Sequence, residues 1–270
     1  MNVVSYGGGT NSTAMLIGMW LHNIPVDLIM FADPGGEQPH TYEYIELFNE
    51  WLKSKGMPEI TLVYAVDKEG NRLYLHKECI ERHTLPPIAF GFKTCSQKYK
   101  TTPQDKYLNS HAKCREIWAS GEKVTKWIGY DAGETKRVQC AKAYDEHDKK
   151  YSRRFPLYEW EWSRDECKKV IERAGLPLPG KSSCYFCPSM KKPEIIKMSE
   201  EYPELFAEAL FVEENAKNLA KVKGLGRGWS WEEMIATYRH NKAFDEAQMS
   251  LFADEQLSCG CIDACGCYDG

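Results

Sequence analysis

The stretch Ser5-Tyr6-Gly7-Gly8-Gly9-Thr10-Asn11-Ser12-Thr13 is the part of this chain that decides the fold. A short apolar run precedes it, and residues 14–20 continue with the apolar spacing of a helix. Glycines allow positive φ and a close approach of the backbone, and the free N–H groups at a helix start attract anions. The stretch therefore predicts a strand, a phosphate-binding turn and a helix. A plain tight turn is the alternative.

The composition is that of a globular chain with one large or two small domains. The chain has 270 residues, 43% of them hydrophobic and 27% charged. Its net charge of −4 argues against a nucleic-acid footprint spread over the whole protein but leaves a local basic patch open. No apolar run has the length of a membrane span, and the chain starts directly in a strand. We therefore expect a cytoplasmic protein with no membrane partner and no signal peptide.

Apolar strands and amphipathic helices alternate along the first two-thirds of the chain. Strands are predicted at 26–32, 60–64 and 126–130, and a helix at 44–52. This order predicts an α/β fold, with a Rossmann-like parallel sheet that carries helices on both faces. Ligands of such sheets bind at the carboxyl ends of the strands. The positions that fall at these ends, and so predict a single site, are the Ser5–Thr13 loop, Asp33, Glu37 and the loop 131–137.

The last third of the chain is predicted to be helical. Ser163–Glu166 has the form of a capping box, and its helix ends at Gly175. The chain then reads as helical from Pro193 to about Lys223, and Ser230 opens a last short helix. We predict three parts: a nucleotide-binding domain with a cysteine site at 1–190, a helical extension at 191–253 and a cysteine-rich tail at 254–270.

Eleven cysteines are many for a chain in a reducing compartment, where metal binding or redox chemistry is more natural than disulfides. Cys184 and Cys187 form a C-x-x-C pair that puts two thiols within reach of one metal ion or cluster. The tail holds a second dense group. A metal site, thiols that carry sulfur and a disordered tail are left open for that group, which consists of Cys259, Cys261, Cys265 and Cys267.

Several segments resemble, in order, the motifs of one known family. They are Gly7–Ser12 (S-G-G-x-D-S), Phe31–Thr41 (F-x-D-T-G-x-E-x-P-x-T), Ile128–Arg137 (I-G-x-R-A-D-E-S-x-R), Phe155–Trp160 (Y-P-L-x-D-W), and Cys95–Lys100 with Ser183–Pro188. These segments resemble the phosphoadenosine-phosphosulfate (PAPS) reductase-like family of the PP-loop adenine-nucleotide α-hydrolases. The two cysteine segments are most similar to its iron–sulfur members that insert sulfur. The similarity covers about residues 2–190.

The resemblance implies cofactors and site residues. It implies that ATP or a related adenine nucleotide binds at Ser5, Gly7, Gly8, Gly9, Thr10, Asn11, Ser12 and Thr13. It also implies a [4Fe–4S] cluster held by Cys95, Cys184 and Cys187, with Cys140 or Cys79 as the fourth ligand or with one iron left open. A structural zinc and simply buried, reduced cysteines are the alternatives.

The predicted catalytic residues are Asp33, Glu37, Lys136 and Arg137. Asp33 and Glu37 follow a strand and are predicted to contact Mg²⁺ or the ribose, with a solvated loop as the alternative. Two departures from the family pattern bear on the others. Asn11 replaces the usual Asp of the loop, and Asp131 stands where the pattern has Arg. Lys136 and Arg137 would then supply the missing positive charge from further along the loop.

The function expected from these features is an ATP pyrophosphatase that adenylates an acceptor and transfers sulfur to it. Its partners would be an adenine nucleotide, a sulfur donor and a nucleic-acid or small-molecule acceptor, with a homodimer left open. A PAPS reductase is the first alternative, although the E-C-G-[IL]-H tail of such reductases is missing. A nucleotide- and metal-binding subunit without its own turnover is the second.

Overall fold

The computed structural model describes residues 1–218 and 222–258 and shows the predicted α/β fold. Five strands form one sheet in the order β3-β2-β1-β4-β5, and all four pairings are parallel. Val3 lies in the centre, opposite Leu28 on one side and Lys126 on the other. The strands are β1 (Asn2–Tyr6), β2 (Leu28–Ala32), β3 (Ile60–Val63), β4 (Val124–Ile128) and β5 (Tyr151–Arg154).

Twelve helices are described in these ranges, and none of them is long and apolar enough to cross a bilayer. A 3-10 turn (Pro87–Phe90) and a π-helical turn (Gln97–Thr101) add to them. The helices are α1 (Thr10–Leu21), α2 (Pro39–Ser54), α3 (Leu75–Glu81), α4 (Thr94–Ser96), α5 (Thr102–Ser110), α6 (Ala112–Ala119), α7 (Thr135–Asp145), α8 (Pro156–Glu159), α9 (Arg164–Arg173), α10 (Lys192–Glu201), α11 (Pro203–Asn215) and α12 (Trp231–Ser258).

Helices cover both faces of the sheet, because side chains alternate along each strand. Val4 and Tyr6 of β1 pack with α1, α2 and α9 in one apolar cluster. Val3 of the same strand packs on the other face, with Leu108 of α5 and Cys114 of α6. The fold class predicted from the sequence is thus confirmed.

A third apolar cluster joins the C-terminal helices to the cysteine motif. It contains Cys79 and Cys184 together with residues of α10, α11 and α12. The buried Glu213 carboxylate at the end of α11 holds this part together. It accepts hydrogen bonds from the backbone N–H groups of Leu225 and Trp231, from the Glu232 N–H and from the Ser230 hydroxyl. These four bonds fix the start of α12 against α11.

The structure corrects the prediction in three places. β5 was not expected, because its sequence is polar: Arg153 there forms ion pairs with Asp145 and Asp148. The predicted continuous helix after Pro193 is two helices, α10 and α11, that break at Pro203. The predicted short last helix is 28 residues long. The domain boundaries stay a prediction, and the tail cysteines lie outside the described residues.

Candidate functional site

A cavity of about 770 Å³ lies at the carboxyl edge of the sheet. The strand order reverses between β1 and β4, which is where ligands of parallel sheets bind. Gly129, just after β4, lies against the start of α1: a Cβ there would come within 3.1 Å of the Ser12 nitrogen and 3.2 Å of the Asn11 carbonyl carbon. Glycine at position 129 therefore lets the end of β4 approach the start of α1 closely.

The glycine-rich loop keeps a defined shape through its own hydrogen bonds. Gly8 has φ +72°, and a Cβ there would lie 3.0 Å from the Thr41 methyl and 3.1 Å from the Phe31 ring. The Ser12 hydroxyl accepts from the Gly7 N–H and donates to the Gly9 carbonyl, both at 3.1 Å. Because Ser12 braces the loop, the N–H groups at the start of α1 are held in place. The predicted loop residues that line the cavity are Ser5, Gly7, Gly9, Thr10, Asn11 and Ser12, whereas Gly8 and Thr13 lie behind it.

Asn11 and Asp131, the two residues that depart from the family pattern, contact each other. The Asn11 side-chain nitrogen donates to the Asp131 carboxylate at 2.9 Å and also lies 3.4 Å from Glu134. Asp131 is 9% exposed and accepts a further bond from the Gly133 N–H at 2.9 Å. An amide and a carboxylate thus meet at the two positions where the pattern has Asp and Arg. The Asp131 side chain thus connects the segment after β4 to the glycine-rich loop.

We expect Asn11→Asp to lower the free energy of unfolding by about 1–3 kcal/mol, since it removes a donor from a buried carboxylate and adds a like charge. The isosteric swap Asn11→Asp with Asp131→Asn keeps one amide, one carboxylate and the net charge, so it should recover most of the loss. Chemical denaturation of the single variants and of the double variant measures this coupling. Equal stability of Asn11→Asp and the swap would show that the two positions are not coupled.

The cavity wall is predominantly cationic. Six lysine and arginine side chains line it against three carboxylates, so an anionic ligand is favoured. Arg137 is among them, as predicted; it forms an ion pair with Glu134 and lies over the Tyr130 ring at 4.0 Å. Lys136 is exposed and does not line the cavity. The six cations are Lys100, Lys126, Arg137, Arg153, Arg164 and Lys181.

Five of these six cations were missed by the sequence analysis, because they come from segments far apart in the chain. Lys126 offered a signal: it is the one charged residue of a strand with the sequence Val-Thr-Lys-Trp-Ile. It is 8% exposed and donates to Asp105 at 2.5 Å. Burial lowers the pKa of its ammonium, while Asp105 acts in the opposite direction. Arg164 has no ion-pair partner among the described side chains and faces the cavity.

Asp33 lies at the end of β2, as predicted, but it does not line the cavity. Its carboxylate accepts from Arg72 at 2.7 Å, from the Tyr42 hydroxyl at 2.9 Å and from the Gly35 N–H at 2.6 Å. The Asp33 side chain is only 4% exposed, and these three donors satisfy its carboxylate oxygens. In this arrangement Asp33 fixes the loop after β2.

Glu37 connects the cavity to the cysteine motif. Its side chain is fully buried and pairs with Lys100 at 2.7 Å, and the Ser182 hydroxyl donates to it at 3.0 Å. Lys100 and Ser182 both line the cavity. The backbone of Glu37 also forms a β-bridge with Cys184. Burial opposes the charge of Lys100, but the Glu37 carboxylate holds the pKa of its ammonium above the ordinary value.

Three predicted metal ligands lie around one apolar cluster, which also contains Cys79. Cys184 is buried in it, and Cys95 and Cys187 pack against it. Burial raises the pKa of Cys79 to about 12, and it also raises the pKa of Cys184 and of Cys187. Among the side chains described, those of residues 1–218 and 222–246, no three His, Cys, Asp or Glu groups converge closely enough to hold a metal ion.

The structure places Cys140 away from this cluster. Cys140 is exposed on α7, whereas Cys79 is buried among the same apolar residues as Cys184. Of the two fourth ligands predicted, Cys79 is therefore the one that shares a cluster with the other three cysteines. Three soft thiol donors suit an iron–sulfur cluster or zinc in chemistry, but their present spacing would have to close to bind either.

No protein-family model matches this chain, and no curated protein matches it. Among solved structures, the chain is similar to the U34-tRNA thiolase NcsA from Methanococcus maripaludis with its [4Fe–4S] cluster. The sequence identity is 16% and the TM-score is 0.43, over 85% of this chain and 76% of that chain. At this score the similarity does not establish a shared function.

Proposed function

We propose that this protein binds ATP at the Ser5–Thr13 loop, adenylates an acceptor with release of pyrophosphate, and transfers sulfur to that acceptor. The observation that carries the proposal is the position of the loop. It opens a cationic cavity at the switch point of the sheet. Lys100 lines that cavity and pairs with Glu37, whose backbone forms a bridge with Cys184 of the cysteine motif. Nucleotide chemistry and thiol chemistry would then take place side by side.

The chain's own residues suggest how the phosphates are held. The N–H groups at the start of α1 point at the cavity, and the dipole of that helix favours negative charge there. Arg137, Arg164 and Lys181 line the same cavity and would neutralise phosphate oxygens. Together these donors stabilise the charge that builds up on the pyrophosphate as it leaves.

A divalent cation would fit beside the loop. Asp131 and Glu134 both line the cavity there, and Mg²⁺ usually takes one or two protein carboxylates together with phosphate oxygens. When bound, Mg²⁺ would neutralise charge on the phosphates. Asp33, the residue predicted for this role, is satisfied by Arg72 and lies outside the cavity.

The sulfur part of the proposal rests on the cysteines. Cys95, Cys184 and Cys187 would hold a [4Fe–4S] cluster, which when bound would supply a site for sulfide next to the nucleotide. Lys100 lies between that site and the cavity and is paired with Glu37, so it places a positive charge beside any anionic sulfur.

Product analysis of ATP turnover tests the proposal. We expect AMP and pyrophosphate, not ADP and phosphate, when the anaerobic protein is incubated with ATP, sulfide and a panel of nucleic-acid and small-molecule acceptors. Nucleotide binding without any turnover would instead support a non-catalytic subunit. Reduction of PAPS to sulfite would support the reductase alternative. Formation of ADP and phosphate would contradict the adenylation step.

A further inference from the structure

A second cavity of about 410 Å³ lies beside the first and shares none of its lining residues. Its wall is mainly apolar and aromatic, with two cysteines in it. The residues that characterise it are Cys79, Leu85, Phe90, Phe92, Cys95 and Tyr99. A volume of this order accommodates one planar ring with its substituents.

One helical stretch separates the two cavities. Cys95, Lys98 and Tyr99 line the second cavity. Ser96 and Lys100, their immediate neighbours, line the first. The stretch contains the π-helical turn Gln97–Thr101, a feature that recurs at functional sites because it changes the direction of successive side chains. A ligand in the second cavity would therefore lie one helix width from the nucleotide and next to Cys95.

The aromatic wall includes a ring that is left uncovered. Phe92 lines the cavity but is 65% exposed to solvent. Tyr99 also lines the cavity and is only 1% exposed. A large apolar ring at such exposure gains from stacking with a flat partner. Bases of nucleotides are flat and stack on exposed aromatic side chains in this way.

Positive charge is concentrated in the same part of the chain. Residues 91–126 contain eight lysines and arginines against three aspartates and glutamates, a net charge of +5 in a chain whose total is −4. Within this segment Lys93 is exposed next to Phe92 and Lys98 lines the second cavity, whereas Lys113 is paired with Asp27. The segment includes the helical stretch between the two cavities. Its charge complements a ligand that carries phosphate.

We infer that the second cavity binds a planar base that carries phosphate, one unstacked nucleotide unit, and that it is separate from the ATP cavity. The inference deepens the proposed function, since it would make the second cavity the site of the acceptor. The base would stack on Phe92 with its edge toward Cys95. The phosphate would lie toward Lys93 and Lys98.

The test measures binding alone, in the full-length protein with saturating pyrophosphate, which carries no base, present to block the first cavity. The probe is a short fluorescein-labelled single-stranded RNA, compared with the same sequence as a duplex and with unlabelled nucleoside monophosphates as competitors. We expect Phe92→Ala to weaken binding of the single strand roughly 5- to 150-fold, as loss of one base-stacking contact does. Phe244→Ala is the matched control, because Phe244 is 57% exposed on α12 and lines neither cavity.

The probes distinguish the possible sources of the base. Tighter binding of the single strand than of the monophosphates, with an affinity that falls as salt rises, assigns the site to a strand. Equal binding of monophosphates that depends on Phe92 assigns it to a free nucleotide. Equal affinities of Phe92→Ala and Phe244→Ala, or a duplex that binds as tightly as the single strand, would overturn the inference. Because ATP turnover is not measured, these outcomes are independent of the adenylation proposal.

Discussion

A Gly9→Val protein should fold normally and fail to bind ATP. Gly9 has φ −118° and ψ 179°, which valine adopts without strain, and a Cβ there meets nothing within 4 Å. The new side chain would occupy the space in front of the α1 N–H groups. Loss of two charge-assisted hydrogen bonds, each worth about 1.5–3 kcal/mol, raises the Kd for ATP at least roughly 100-fold. Calorimetric titration with ATP measures this.

Gly228→Val is the control for that experiment. Gly228 also has open space around its Cβ position, lacks a positive φ, and lies far along the chain outside the cavity lining. Both variants should keep the melting temperature of the wild type without nucleotide, but only Gly228→Val should be stabilised by added ATP. Tight ATP binding by Gly9→Val would show that the loop is a structural turn.

Protein prepared without oxygen should be brown, and replacement of any one of Cys95, Cys184 or Cys187 by alanine should remove the colour and the iron. The three side chains lie around one group of buried apolar residues. An iron–sulfur cluster that loses a thiolate ligand is exposed to solvent and decays. Visible absorbance and iron analysis give the result directly.

Cys140→Ala provides the matched control, because Cys140 is exposed on α7 and its replacement should leave the colour unchanged. Cys79→Ala then tests whether the buried Cys79 is the fourth ligand. Bleaching by Cys140→Ala would instead support Cys140, the other of the two fourth ligands predicted from the sequence. A colourless anaerobic protein with stoichiometric zinc would contradict the iron–sulfur prediction and favour a structural metal.

The strands that could be predicted are the ones with local apolar patterns. β1, β2, β3 and β4 are short apolar runs next to glycine or charged loops, and their burial follows from that pattern. β5 has the sequence Tyr-Ser-Arg-Arg and is stabilised by its neighbour β4 and by ion pairs, which local periodicity does not reveal. Tertiary pairing decides the structure of such a segment.

The same distinction applies to the site. The glycine loop lies at the mouth of a cavity, as its sequence indicates, because its function depends on consecutive residues. Asp33 was predicted as a catalytic residue from its place after β2. Its partner Arg72 lies 39 residues further on, so only the folded chain shows that the two side chains form an ion pair. The cationic wall is likewise assembled from segments between residues 100 and 181. Residue type and strand-end position predict candidates but not their orientation.

The bridge between Glu37 and Cys184 also determines the order in which the two sites can form during synthesis. Ser182 and Glu37 are 145 residues apart, so this contact has a high sequence separation and a large loop to close. The glycine loop is contiguous with β1 and α1 and leaves the ribosome early, and Asp131 joins it once β4 has been made. The cysteine pair reaches its place only when residues near 182 contact Glu37. A nascent chain would therefore place the cysteine motif last, after both the glycine loop and Asp131 have been synthesised.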